Sequence, residues 1–285
     1  MDAVPSGHRT TLIFATTAAM VALLGLLPSS VGTLASAVII ALAGIPHGSL
    51  DLHLLSTKAR RSAELVLYLA SIAAVLGVWY VAPWLMLVVF LLNSAWHFGD
   101  CDVRLEGRLH PLVTSLYGIA VLFLLIDPTD SSVDWIIAQL VGGPVSVPAT
   151  WQPGLVRAAA AVGVVVLPLV GTGQDRLFLL LRGGTIVAVS VAVPSLLAFT
   201  WYFAVLHSWV SMDRLRHHLS AERPVSWQRL LKLAAPLTLL TYLGLGVGAM
   251  LLPQTAVLAL LFVALSALTV PHSRLFHRVY QPAPR

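Results

Sequence analysis

Val38-Ile39-Ile40-Ala41-Leu42-Ala43-Gly44-Ile45-Pro46-His47-Gly48-Ser49-Leu50-Asp51 closes a stretch with no Asp, Glu, Lys or Arg between Arg9 and Asp51. It is long enough to cross a bilayer, which takes about 20 apolar residues. An ionisable side chain ends it, and such a group in a membrane segment costs enough to mark a functional site. The pattern recurs. Trp96-His97-Phe98-Gly99-Asp100-Cys101-Asp102, Leu206-His207-Ser208 and Val270-Pro271-His272-Ser273 each place a histidine near the C-terminal end of an apolar run.

The whole chain shares this character. Of 285 residues, 58% are hydrophobic and 10% charged, with a mean hydropathy of +0.88. A soluble domain carries about 25% charged residues. Strand alternation is missing from most apolar runs, which argues against a barrel. The expected fold is all-α: a polytopic integral membrane helical bundle of about 8–10 transmembrane helices, in one integral domain over 1–285. Ten candidate spans are read at 11–27, 32–55, 64–81, 84–98, 112–126, 155–170, 177–193, 195–210, 230–252 and 255–270, with a surface helix at 133–140. Pro194 divides the long run from Asp175 to His218. The first run resembles a signal peptide, with Ala35-Ser36-Ala37 as a small-residue site, but further spans follow and a retained helix is expected.

Charge sets the orientation. Arg9, then Lys58, Arg60 and Arg61, then Arg104 and Arg108, then Arg176 and Arg182, then Arg214 and Arg216, then Arg274 and Arg278 share one side in the ten-span reading. Asp127, Asp130 and Asp134 lie on the other. By the positive-inside rule both termini face the cytoplasm, in the cell membrane. The +5 formal charge is accounted for by these loops, and no basic stripe interleaved with aromatics points to nucleic acid.

The same topology puts His47, His97, His207 and His272 in one layer of the membrane. Neutral imidazoles gathered between helices suit a transition metal. Asp51 lies four residues beyond His47, on the same helical face, where it could orient the ring. Asn93 and Asp100 are candidates for the same role toward His97. Asp102 reads equally as a solvated loop charge. His53, His217, His218 and His277 read as interfacial, and His8 and His110 have no evident partner. Cys101 rules out an internal disulfide. Imidazole ligation alone leaves iron, zinc, copper and a haem gripped by paired histidines open, and a transporter using histidines as proton relays is a further alternative. Trp96, Trp201, Tyr202 and Trp209 are candidate walls of a cleft for a flat apolar substrate.

At Pro46-His47-Gly48-Ser49-Leu50-Asp51, His97-Phe98-Gly99-Asp100-Cys101-Asp102, the aromatic run into His207-Ser208, and Pro271-His272, the chain resembles the Brp/Blh family of bacterial and archaeal membrane proteins. These are β-carotene 15,15′-dioxygenases that make retinal. The resemblance spans residues 44–275. It implies Fe(II) held by histidines, O₂ as co-substrate and a carotenoid or other apolar lipid taken from the bilayer. It makes His47, His97 and His207 ligands. The family pattern places its next ligand one turn after His207, where this chain has Ser211; either His272 completes the set, or the metal keeps an extra open site, or this member acts on another substrate or has lost activity.

Overall fold

The computed structural model describes residues 7–26, 28–55, 58–103, 110–144, 152–170, 176–220, 224–253 and 256–280. Among them there is no strand. The helices are α1 (Gly7–Leu24), α2 (Ser29–Gly48), α3 (Lys58–Val81), α4 (Pro83–Asp102), α5 (His110–Leu125), α6 (Ser131–Val141), α7 (Pro153–Val166), α8 (Arg176–Ala192), α9 (Ser195–Trp201), α10 (Trp209–Leu219), α11 (Trp227–Leu251) and α12 (Val257–Tyr280). A π-helical segment, Tyr202–Ser208, joins α9 to α10 without a break. Arg104 and Arg108 of the orientation argument lie outside the described residues, as does the side chain of His8.

This is a polytopic helical membrane bundle. Six described helices are long and apolar enough to cross a bilayer: Ser29–His53, Arg60–Val81, Pro83–Asp102, Pro153–Val170, Trp227–Leu251 and Val257–Arg278. Proline sets several boundaries. Pro83 and Pro153 occupy first-turn positions, where a missing N–H costs nothing. Pro194 precedes α9 and separates it from α8, as the sequence suggests. Leucines and valines on the outer faces, such as Leu34, Leu69, Leu92 and Leu243, are exposed, as lipid-facing positions must be.

Glycine lets the site-bearing helices approach. Gly99 of α4 lies against the Thr114 carbonyl of α5, and Gly118 of α5 against the Ala95 carbonyl of α4. Either glycine with a Cβ would drive it into backbone. Such small-residue contacts are how helices associate in lipid, where no hydrophobic drive operates between them.

The segment 133–140, expected on the surface, does not lie there. α6 packs among α4, α9 and α12, with Val133 and Ile136 buried. Eleven residues are too few to span, but an amphipathic helix can bury one face against neighbours. The Asp130 side chain caps it, accepting from Ser132 N at 2.9 Å and from Ser195 N at 3.0 Å, which ties α6 to the start of α9. His272, expected at a helix end, sits inside α12, which continues to Tyr280 through Pro271.

A candidate metal centre

Four helical segments deliver the four histidines. His47 is in the last turn of α2, His97 in the last third of α4, His207 in the π-helical segment and His272 in α12. All are buried. Each lies where the large core of Ile45, Phe98, Leu206 and Leu265 gives way to a smaller cluster of Leu50, Cys101, Met212 and Phe276. The imidazole rings converge. Centroids are 5.1 Å apart for His47 and His207, 4.9 Å for His97 and His207, 4.5 Å for His47 and His272, and 4.8 Å for His97 and His272.

One nitrogen from each of His47, His97 and His207 lies within 4.8 Å of the others. Both His47 nitrogens, His207 Nδ1 and His272 Nε2 are buried with no hydrogen-bond partner among the described residues. Unsatisfied buried nitrogens are costly, and such atoms on three neighbouring rings are hard to explain by protein contacts alone. One nitrogen from each of His47, His97 and His207 at this spacing fits a single cation. The donor set is nitrogen-rich and dry, which suits a borderline metal rather than Mg²⁺ or Ca²⁺.

Asp51 is placed differently from expectation. It accepts at Oδ1 from His272 Nδ1 at 2.6 Å and at Oδ2 from the Tyr68 hydroxyl at 3.0 Å. It does not bond His47, because α2 ends at Gly48 and the chain turns before the 3₁₀ turn Asp51–His53. The four-residue spacing therefore no longer places both on one helical face. The contact fixes the His272 tautomer and aims its Nε2 at the cluster.

Asn93 and Asp100 do not touch His97. Asn93 Oδ1 accepts from the Ser273 hydroxyl at 3.0 Å, tying α4 to α12 beside His272. Asp100 contacts His277 Nδ1 at 3.1 Å and His110 Nε2 at 3.7 Å. A one-turn spacing puts residues on neighbouring faces, yet their partners come from helices the spacing cannot see. His97 instead has Cys101 Sγ 3.7 Å from its Nδ1. Ser211, one turn after His207, is buried.

Asp102 is no solvated charge. It is buried, its carboxylate accepts from the Tyr202 hydroxyl at 2.7 Å, and its carbonyl accepts from Arg182 at 3.0 Å. Arg182 is accordingly buried within α8 rather than in a cytoplasmic loop. Sequence reasoning missed this Asp102–Tyr202–Arg182 group. The one available signal was an arginine seven positions into an apolar helix.

The proposed aromatic walls also lie elsewhere. Trp201 is buried and donates to Thr17 at 3.0 Å. Tyr202 is held by Asp102, Trp209 stacks on Trp227 at 4.5 Å, and Trp96 packs on His277 at 5.1 Å. The apolar cavity that does open on the histidines has an empty volume, mouth included, of about 1110 Å³. Its aromatic wall is phenylalanine: Phe90, Phe98, Phe199, Phe203 and Phe262. Phe203 stacks on His207 at 5.8 Å, and Gly44 makes room for it, since a Cβ there would meet the Phe203 ring at 2.5 Å. Tryptophan and tyrosine carry polar atoms that seek partners when buried, which draws them away from a dry wall.

Fold and site together define an all-helical integral membrane protein with a buried all-histidine centre at the head of an apolar cavity. The chain belongs to the beta-carotene 15,15'-dioxygenase family, whose model matches residues 38–280. It is 24% identical over 257 residues to a beta-carotene 15,15'-dioxygenase from uncultured marine bacterium 66A03, covering 84% of this chain and 90% of that one. No solved structure matches it. The family is one of oxygenases and suggests a metal cofactor, in keeping with the histidine cluster.

Proposed function

We propose that this single-domain chain is an iron-dependent membrane oxygenase that cleaves the central double bond of β-carotene with O₂, or acts likewise on a related apolar lipid. The observation that carries this reading is the set of orphaned imidazole nitrogens at one end of an apolar cavity. His47, His97 and His207 would hold the metal, with His272 as fourth ligand in place of the family residue that Ser211 lacks. Bound Fe(II) would supply O₂ activation beside the polyene. The balance is simple: one C=C bond breaks, both oxygen atoms are retained, and two aldehydes (two retinals) form without an added reductant.

The protein's own part is binding, orientation and exclusion of water. A polyene offers no polar handle, so affinity comes from apolar area at about 25 cal/mol per Å² removed from water. A substrate already dissolved in the bilayer need not be extracted into solvent. Asp51 holds His272, Tyr68 holds Asp51, and Leu50, Met212, Leu215 and Phe276 close the cytoplasmic side of the histidine layer. The protein is multi-pass in the cell membrane with both termini cytoplasmic.

The rivals fit less well. A haem needs a macrocycle between two imidazoles, but between His47 and His97, 6.4 Å apart, the rings of His207 and His272 lie within 4.5–5.1 Å of both. A transport path would need polar walls, which this cavity lacks beyond Ser94, Ser195, Thr269 and the histidines. Metal analysis of the purified protein, with product analysis in a carotenoid-producing host, tests the reading. Stoichiometric iron and retinal support it. Full occupancy by another metal, or carotenoid that stays intact, ends it.

A further inference from the structure

The cavity is long, and its two ends differ. On α4 its lining runs Leu87, Phe90, Leu91, Ser94, His97, and on α12 Phe262, Leu265, Thr269, His272. Both follow one helical face over ten residues, about 15 Å at 1.5 Å per residue. The histidines form one end. The other is formed by α6, through Val133, Ile136, Ile137 and Leu140, against the end of α5 at Ile126 and the start of α9 at Ser195. Hydrogen bonds from Ser132 N and Ser195 N to Asp130 fix α6 in place, so this end is a built surface.

We propose that α6 is the stop that selects which bond is cut: one end of the polyene rests on Val133, Ile136, Ile137 and Leu140, and the span from there to the histidines sets the bond presented to the metal. This rests on the oxygenase reading above. It needs no polar contact. A polyene has no polar feature along its length to recognise, so a length measured from a terminus is a means of choosing among similar double bonds.

The test compares the wild-type holoenzyme with Ile136→Trp and Ile137→Phe, which shorten the cavity, with Leu140→Ala, which lengthens it, and with Gln139→Trp on the exposed face of α6. Cleavage products of β-carotene are separated by chromatography. Shortening should move the cut toward the inserted end and yield two carbonyl products of unequal length. Leu140→Ala should also move it off centre, which in this symmetric substrate again reads as products of unequal length, and Gln139→Trp should leave the pattern unchanged. Active shortened and lengthened variants that keep the wild-type product ratio would overturn the stop and leave the oxygenase reading intact. No product from wild type would instead sink that reading. Equilibrium binding of radiolabelled retinal is the second readout and does not depend on turnover. Affinity should fall about tenfold in Ile136→Trp or Ile137→Phe and stay level in Gln139→Trp. Equal retinal affinity in all four proteins would also overturn the proposal.

Discussion

His272 joins two environments: its Nδ1 meets a carboxylate that is fully buried, and its ring lies 4.5 and 4.8 Å from those of His47 and His97 with Nε2 unpartnered. Asp51 thus contacts the ring of His272 rather than that of His47. Asp51→Asn should weaken metal binding about 10–100-fold, read by competition with a chelator, because the amide cannot hold the same tautomer with the same charge. Affinity equal to wild type would separate Asp51 from the metal. His47→Ala and His97→Ala remove nitrogens from the central set and should leave the purified protein without stoichiometric metal and without product, while its circular dichroism stays helical. Retained metal in either variant would count against the assigned centre. The four histidines were legible because each ionisable ring ends an apolar run. Their partners were not, because a carboxylate four residues away along the chain can be turned elsewhere when the helix ends between them, as it does at Gly48.

Three helices shape the site. α4 and α5 meet through Gly99 and Gly118, and Gly99 lies two residues from His97. Gly99→Ala would push a methyl into the Thr114 carbonyl and should cost about 3 kcal/mol, seen as a lower melting temperature in detergent together with reduced metal content. An unchanged melting temperature would show that the helices can separate freely. α6 depends on its acidic turn. Burial pushes the Asp127 and Asp130 carboxyls up, but hydrogen bonds outweigh it and hold both below their ordinary value. The donors are Thr129 and Arg157 for Asp127, and Ser132 and Ser195 for Asp130. A lowered folded-state pKa stabilises the fold above the unfolded value of 3.8 and loses that contribution as pH falls through the folded value. Melting temperature should therefore decline below about pH 4, and Asp130→Asn should flatten the decline. Apolar periodicity located α6 but could not tell a helix facing headgroups from one wedged between α4, α9 and α12, since both bury one side.

At the scale of the molecule, helices distant in the chain are joined at one layer by the histidines, so metal should stabilise the whole bundle. Binding confined to the folded state adds about 4 kcal/mol when free metal is a thousandfold above Kd. Chelation should lower the melting temperature, and Fe(II) should restore it. A metal-independent transition would show that the centre is peripheral to stability. The sequence by itself determined the class: apolar runs of spanning length can satisfy their backbone in lipid only as helices, and a histidine at such a place needs a reason. It also determined the metal candidates and the family resemblance, through short motifs in order. Only the tertiary structure decided which groups meet. It turned Asp51 to His272, put Tyr202 on Asp102, lined the cavity with phenylalanine rather than tryptophan, and brought α6 into its lining. The reason is physical: hydropathy and periodicity are properties of one segment and its solvent, whereas a partner is chosen by helix crossing and rotation, which depend on packing between segments far apart in the chain.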